Sequence, residues 1–255
     1  MQHIDPQHEL QLAYDRFRSC ARSCLTEDEA KQFGPPLLIN LSNSYMSSNT
    51  RIIIFGQKTT RWIWNRDTGP NWHFSDLNSF NDFLINSDAV EGLCWGYDDF
   101  DFGLAEPSLS RTPFWQAFSE FKIEMQCSPL WNNVLKVDNN PVIGKTNPPS
   151  ELETKMAKLQ ANLFQDELTI LRPDVCIFLS GPYYDKYLKL LIQECNFSRC
   201  SDVTERKLAR VTRSGLPELP ECTYRTYHPK YLRLSNQWHY LAEIRRLAKI
   251  EAECA

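Results

Sequence analysis

Three stretches of the sequence place polar residue types in or directly after apolar runs, where they could meet a ligand. Gly56 and Gln57 close the first run, Asn132 lies in a second, and His228 follows the last. An amide offers a hydrogen-bond donor and an acceptor side by side, and a neutral imidazole offers one of each. The glycine, which has no Cβ, lets the backbone approach a ligand closely. Each stretch alone is weak, because a single loop histidine is most often a surface residue, so the interpretation depends on the fold bringing them together.

The apolar runs themselves predict the strands of a buried, parallel sheet. Short continuous runs rich in β-branched residues are typical of strands covered on both faces. We predict strands at Arg51–Gln57, Leu130–Val137, Val175–Leu179 and Tyr224–Tyr227, and helices at Glu9–Phe33, Leu77–Ile85, Ser110–Met125 (N-cap Ser110), Ser150–Leu171 and Gln237–Glu253. This alternation favours an α/β fold, a three-layer αβα arrangement with a central, mostly parallel four-stranded sheet. The ligand crevice of such a sheet lies outside the carboxyl ends of its strands.

The second predicted strand contains two adjacent asparagines, Asn132 and Asn133. Asparagine is depleted in strands, and burying its amide without a partner costs about 1–3 kcal/mol. We therefore expect one of the two to read the polar edge of a ligand.

Two further segments are predicted to be loops. Residues 58–74 are rich in Trp and Asn and leave the end of the first strand, where a long aromatic loop is more often functional than structural. Residues 95–103 carry Asp98, Asp99 and Asp101 among aromatic residues, a poor pattern for a strand or a helix. This second loop could present an acid beside a stacking ring, or it could be an ordinary acidic surface turn.

Length and composition favour one domain spanning residues 1–255, with residues 1–36 as an N-terminal helical extension. No apolar run approaches the roughly 18 residues of a membrane span, and the N-terminus lacks a secretory-signal pattern, so we expect a cytoplasmic protein.

Nine cysteines without a Cys-x-x-Cys spacing are expected to be reduced and mostly buried, with an iron–sulfur cluster as the alternative. No metal or cofactor is predicted.

Charge is unevenly distributed along the chain. The net charge is −4, yet residues 206–233 contain seven basic residues against two acidic ones, with tyrosines between them. Cations interleaved with aromatic rings are typical of surfaces that hold a phosphate backbone beside an unstacked base. A solvated basic face is the alternative.

Together, the three stretches resemble the uracil-DNA glycosylase superfamily, over roughly residues 51–248. Gly56-Gln57-Lys58 is similar to the start of the family's Gly-Gln-Asp-Pro-Tyr loop, Asn132 and the Asn-Val-Leu-Lys-Val after it to an Asn-Thr-Val-Leu-Thr-Val strand, and His228-Pro229 to a His-Pro-Ser-Pro loop. The Arg-Pro-Asp break at residues 172–174 and the Ser-Gly at 180–181 also look like the family.

This resemblance implies a DNA glycosylase that hydrolyses the N-glycosidic bond of a flipped-out base and leaves an abasic site. Asn132 would bind the edge of the base, and His228 would donate to its carbonyl oxygen as negative charge collects there. The Gly56–Gln57 backbone and Lys58 would line the pocket, and Phe102 would stack on the base. The residues expected to hold the DNA are Arg213, Arg225, Lys230, Tyr231 and Arg233. The partner is then DNA, with no membrane, obligatory protein partner or cofactor.

Lys58 departs from the family, since many members carry a carboxylate directly after Gly-Gln to orient the attacking water. Either an acid from elsewhere holds the water, with Asp101 and Asp99 as candidates, or the protein binds without cutting. Lys58 could instead contact a phosphate or a bulky substituent. Some members in bacterial phage defence excise hypermodified bases, so the expected substrate is uracil or a hypermodified cytosine such as glycosylated hydroxymethylcytosine.

Two other functions stay open at the level of sequence. The first is a catalytically inactive relative that binds lesions or nucleic acid. The second is a nucleotide-binding or hydrolytic α/β protein of another class, although the chain has no Gly-x-Gly-x-x-Gly, Gly-Lys-Ser/Thr or Gly-x-Ser-x-Gly motif.

Overall fold

The structure is a computed structural model that describes residues 5–59, 77–101, 109–140, 150–214 and 216–254. For residues 98–101, 109, 213 and 250–254 it describes the backbone only. Phe102 and most of the predicted loop at 58–74 lie outside the described residues.

The helices follow the predicted order, with breaks that the periodicity did not reveal. They are α1 (Pro6–Cys24), α2 (Glu27–Lys31), α3 (Asn43–Met46), α4 (Phe80–Ile85), α5 (Ala89–Asp101), α6 (Pro113–Glu124), α7 (Ser150–Leu159), α8 (Ala161–Leu171), α9 (Asp185–Leu191), α10 (Pro229–Leu234) and α11 (His239–Cys254). The first predicted helix divides where Thr26 starts α2 with a capping box. The N-cap prediction is wrong, because Thr112 holds that position of α6 and Ser110 lies in a preceding 3-10 turn.

Six strands form one mixed sheet in the order β2-β1-β3-β6-β5-β4. They are β1 (Ile52–Lys58), β2 (Leu130–Leu135), β3 (Val175–Phe178), β4 (Cys195–Arg199), β5 (Leu208–Arg213) and β6 (Cys222–Thr226). β1, β3 and β6 are parallel, with Ile54 opposite Ile177 and Ile177 opposite Tyr224. β5 runs antiparallel to both β4 and β6. The α/β class is confirmed, and the predicted number of four strands is wrong.

Of the two additional strands, β4 precedes the basic segment at residues 206–233 and β5 lies within it. We had interpreted this segment as a binding surface. In β5, Ala209 and Val211 are buried, while Arg210 and Thr212 are partly exposed. This alternation is typical of an antiparallel strand with one covered face. Arg210 of the basic segment is therefore a partly exposed side chain on the uncovered face of β5.

Helix α5 overturns the loop predicted at residues 95–103, because the helix continues to Asp101. Val90, Leu93, Cys94 and Tyr97 recur at spacings of three and four residues and are buried. Packing of this apolar stripe outweighs the low helix propensity of the glycine and aspartates at the end of the segment.

The chain folds into two compact units, each built from three segments. Unit 1 comprises residues 1–40, 58–102 and 135–170, and unit 2 comprises residues 41–57, 103–134 and 171–255. Unit 2 contains the sheet, except for the terminal residues Lys58 of β1 and Leu135 of β2. A single domain stays a prediction.

The core of unit 1 includes the predicted N-terminal extension. The rings of Phe17 in α1 and Phe80 in α4 pack with their centroids 5.8 Å apart. The hydroxyl of Tyr14 donates to Glu167 of α8 at 3.2 Å, and the same carboxylate pairs with Lys136 at 2.7 Å. Residues of α1 thus belong to the packed interior of this unit.

The two units differ in charge. Unit 2 has 17 lysines and arginines against 13 acidic residues, a formal charge of +4, whereas unit 1 has 11 against 19, a charge of −8. In the part of the chain that the structure describes, no helix is both long and apolar enough to cross a bilayer.

Candidate functional site

The carboxyl ends of the parallel strands β1, β3 and β6 meet in unit 2. The Gln57 amide, at the end of β1, donates to the carbonyl oxygen of Ser180 after β3 at 2.7 Å. The next residue, Gly181, donates its N–H to the carbonyl oxygen of Thr226 at the end of β6 at 2.9 Å. Gly181 has a φ of +77°, a conformation that favours glycine. These bonds fix the ends of β1, β3 and β6 side by side.

Gly56 lies in close contact with the side chains of Asn133 and Phe114. A Cβ added to Gly56 would lie 2.5 Å from Asn133 Oδ1 and 3.2 Å from Phe114 Cε2. The first separation is shorter than any ordinary contact, so only glycine fits between the amide and the ring. The predicted need for glycine at this corner is thus explained by two side chains of unit 2 that approach the backbone.

Of the two asparagines, Asn133 is the one whose side chain lies beside Gly56. Successive strand residues point to opposite faces, so the neighbouring Asn132 points away from this contact. Asn132 is fully buried, and its Oδ1 accepts the backbone N–H of Asn133 at 2.8 Å. Asn133 is 5% exposed, and its side-chain amide makes no hydrogen bond with any residue that the structure describes. An amide beside the strand ends that bonds to no described residue is a candidate ligand-binding group.

The ring of Phe114, which lies against Gly56 beside the Asn133 amide, is nearly parallel to the imidazole ring of His228. Their centroids are 6.4 Å apart and their planes differ by 17°. Phe114 occupies the first turn of α6, directly after Pro113 at its start. Gly56, Asn133, Phe114 and His228 therefore form one cluster, which we call the strand-end cluster.

The protonation of His228 is determined by its place at the start of α10. Its Nδ1 accepts the backbone N–H of Lys230 at 3.2 Å. A neutral imidazole that accepts at Nδ1 carries its proton on Nε2, which is then free to donate. Burial, together with the positive charge of Lys230, lowers the pKa of His228 to about 4. His228 is thus a neutral hydrogen-bond donor at pH 7.

Lys58 is engaged in ion pairs within unit 1. Its ammonium lies 2.8 Å from Asp138 and 3.5 Å from Glu153, and all three side chains are largely buried. This arrangement argues against the predicted contact of Lys58 with a phosphate or a base substituent, since the two carboxylates already neutralise it.

The other acids and the stacking residue proposed from the sequence fall where the structure gives no side chains. The backbones of Asp99 and Asp101 form the last turn of α5, and their side chains are outside the description, as is Phe102 altogether. Phe114, which lies in the helix predicted at Ser110–Met125, is the aromatic ring that the structure places in the strand-end cluster.

Arg225 is a buried structural residue, which argues against the predicted DNA contact. Its side chain is 2% exposed and pairs with Asp185 at 3.0 Å. It also donates to the carbonyl oxygen of Arg206 at 2.8 Å, and its guanidinium covers the ring of Phe197. The side chain of Arg213 is outside the described part.

Three of the predicted DNA-binding residues lie together on α10, which follows His228. Lys230, Tyr231 and Arg233 are exposed there. Arg233 contacts Gln116 of α6 and covers the ring of Trp238 with its guanidinium 4.7 Å from the ring centre. This helix therefore keeps a basic and aromatic surface next to the strand-end cluster.

Four cavities lined by described residues lie in unit 1. The largest of them, about 600 Å³, is bounded by Cys24 of α1 and by α7. A closed pocket beside His228 stays a prediction.

No group of three or more His, Cys, Asp or Glu side chains in the described residues could hold a metal ion. Among the described cysteines none is disulfide-bonded, and Cys20 and Cys24 are exposed, so fewer are buried than we expected.

The sequence matches no protein-family model, and no similar curated protein or solved structure was found.

Proposed function

We propose that this chain is a DNA glycosylase that hydrolyses the N-glycosidic bond of a flipped-out pyrimidine, uracil or a hypermodified cytosine. The proposal includes the three-layer αβα arrangement expected for such an enzyme. The observation that carries it is the strand-end cluster, in which the Asn133 amide and the Phe114 ring lie against Gly56 and the Phe114 ring stacks on the neutral His228. DNA as the partner is supported by the +4 charge of unit 2 and by the basic surface of α10.

The chemistry requires groups that stabilise the leaving base. When the bond between C1′ and the base nitrogen breaks, its electron pair goes to the base and C1′ becomes cationic. The Nε2–H of His228 donates to the base carbonyl oxygen, where this charge accumulates, and the neutral state of the ring avoids a proton-transfer step. Water then adds to C1′, and its proton leaves to the expelled base or to solvent. Removing one such donor typically costs about 10²–10³ in rate.

The amide that recognises the base is Asn133 in this proposal, in place of the Asn132 expected from the family motif. The Asn133 amide lies against Gly56 and bonds to no described residue, whereas Asn132 is fully buried and already accepts a hydrogen bond. An amide can pair with the adjacent carbonyl and N–H of uracil, or with the ring nitrogen N3 and the adjacent 4-amino group of cytosine. Because the target lies inside a stack, the nucleotide must be extruded first.

The test is release of base from oligonucleotides that contain uracil or glycosylated hydroxymethylcytosine, detected as alkali-sensitive abasic sites. We expect the wild-type chain to cut at least one of them, and His228→Ala and Asn133→Ala to lose about 10²-fold or more in rate. Lys249→Ala, which removes an exposed lysine of α11 in the same unit, is the control and retains the rate. Absence of cleavage on every substrate contradicts the proposal, and cleavage of uracil alone contradicts the part that concerns modified bases.

A second candidate is a relative that binds such a base without cutting. The observation that favours it is Lys58, which stands where many members of the superfamily have a carboxylate and which pairs with both Asp138 and Glu153. Tight, His228-dependent binding of modified DNA with no abasic product would support this candidate over the enzyme.

A further inference from the structure

Two exposed tyrosines lie directly beside the strand-end cluster on different elements. Tyr183 is 78% exposed and follows Gly181 by two residues. Tyr231 is 49% exposed and lies in the first turn of α10, three residues after His228. Consecutive Cα atoms are 3.8 Å apart, so Tyr183 is within about 8 Å of Gly181 along the chain. Both rings are therefore near the point where the base is proposed to bind.

Gly181, two residues before Tyr183, lies close to Tyr227, and Tyr227 in turn packs on Tyr231. A Cβ on Gly181 would lie 3.6 Å from the ring of Tyr227 and 3.8 Å from the backbone nitrogen of His228. The Tyr227 ring packs on that of Tyr231, with centroids 4.5 Å apart. The loop that carries Tyr183 thus contacts the segment, Tyr227 and His228, that precedes Tyr231.

The surroundings of the two rings are cationic. Lys186 and Lys230 are both exposed, and neither forms an ion pair with a carboxylate in the described ranges. Leu234, on the same face of α10 as Tyr231, is 78% exposed and widens the apolar surface. Exposed rings with unpaired lysines beside them combine stacking surfaces with attraction for phosphates.

We propose that the preferred substrate of this site is single-stranded DNA, whose bases on either side of the flipped nucleotide stack on Tyr183 and Tyr231. This inference rests on the proposed function. In a duplex the neighbouring bases are already paired and stacked on one another, so their faces are not available to the two rings. In a single strand each base has an open face, and stacking on an aromatic side chain is worth a substantial gain in affinity.

Equilibrium binding to a fluorescein-labelled thymine oligonucleotide of about 15 nucleotides, single-stranded or paired with its complement, tests the inference. Thymine is outside the proposed substrates, so base release does not disturb the measurement. We expect the single strand to bind more tightly than the duplex, and Tyr183→Ala and Tyr231→Ala each to weaken single-strand binding by about 5-fold or more. Tyr183→Phe and Tyr231→Phe keep the ring and should retain binding within about twofold.

The control is Ile123→Ala, which removes another exposed apolar side chain, 71% exposed, from the opposite end of α6 from Phe114. It should leave binding unchanged. The inference is overturned if the duplex binds as tightly as the single strand. It is also overturned if alanine at only one of the two tyrosines, or at neither, weakens single-strand binding.

Base release assayed on the same variants separates the two proposals. Tyrosine-dependent single-strand binding without base release from any DNA contradicts the glycosylase alone. Base release without the tyrosine dependence contradicts only the stacking surface.

Discussion

The residue on which the candidate site depends most closely is Gly56. Alanine at this position would place a Cβ 2.5 Å from Asn133 Oδ1, so the amide must move. We expect Gly56→Ala to lower the rate of base release by about 10²-fold, because the displaced amide no longer faces the base. The measurement is the single-turnover rate on the best substrate, together with the unfolding midpoint of the variant.

A double variant separates displacement of the amide from general damage. In Gly56→Ala/Asn133→Ala the clash is removed, so we expect the free energy of unfolding to recover toward that of Asn133→Ala while the rate stays low. Additive losses of stability in the double variant would show that Asn133 and Gly56 are not in conflict, contrary to the contact described above.

The second prediction at this scale concerns the protonation of His228. Its pKa is lowered to about 4 in the folded protein from an ordinary value near 6.5, so the unfolded chain binds the proton more readily between these values. The contribution of this group to stability is therefore complete above pH 6.5 and is lost as the pH falls toward 4. We expect the ring resonances in an NMR titration to stay constant from pH 8 to 5, with the proton on Nε2. A transition near pH 6.5 in the folded protein would contradict this account.

At the scale of residues, the sequence could identify which residue types belong to the site, but not which side chains they contact. The pattern at Asn132 and Asn133 indicated that one amide faces a ligand, and only the pairing of β2 in the sheet decides which. Phe114 was invisible as a site residue, because an aromatic side chain in the first turn of a helix is usually part of the core. Its position against Gly56 and His228 depends on the docking of α6, a long-range contact that local spacing does not encode.

At the scale of elements, the strands buried on both faces were predictable, whereas the half-buried ones were not. β1 and β3 are short apolar runs that end in glycine or Ser-Gly, a pattern with few other interpretations. β4 and β5 mix apolar with polar or charged residues, and the charges in β5 suggested a binding surface. In α5, the aspartates and the glycine concealed an apolar stripe that makes the segment helical.

The end of β2 leads into a buried ion pair that stabilises unit 1. Lys136 and Glu167 are 3% and 2% exposed and lie 2.7 Å apart. Removing one partner leaves the other charged and buried, so we expect Glu167→Ala to lower the free energy of unfolding by about 3–5 kcal/mol. The double variant Lys136→Met/Glu167→Leu should be close to the wild type in stability. Chemical denaturation measures both.

Asp166→Ala is the matched control for that pair, since Asp166 is the preceding residue of the same helix. It pairs with Arg16 at 2.9 Å, but both side chains are exposed. Exposed pairs contribute at most about 1 kcal/mol, so the change should be small. If Glu167→Ala were no more destabilising than Asp166→Ala, the buried pair would not have the role assigned to it.

At the scale of the whole molecule, the N-terminal segment is part of the core of one of the two units. Residues 1–36 were predicted to be a helical extension, yet α1 supplies Tyr14 and Phe17 to the core of unit 1. We expect a chain that starts at residue 37 to lose helical circular dichroism well beyond the two deleted helices, because unit 1 cannot then bury its apolar side chains. Wild-type-like thermal unfolding of the truncated chain would contradict this. Leu12→Ala, an exposed change in α1, is the control with little effect.

The central claim is that Asn133 and His228 bind the same flipped-out nucleobase beside Gly56. A crystal structure with a single-stranded oligonucleotide, in which a 2′-fluoro sugar blocks hydrolysis of the target nucleotide, tests it most directly. We predict that the base carbonyl oxygen lies within about 3.2 Å of His228 Nε2 and that the Asn133 amide lies within the same distance of the base edge. A target base bound elsewhere, or one that contacts only one of the two side chains, would contradict the account.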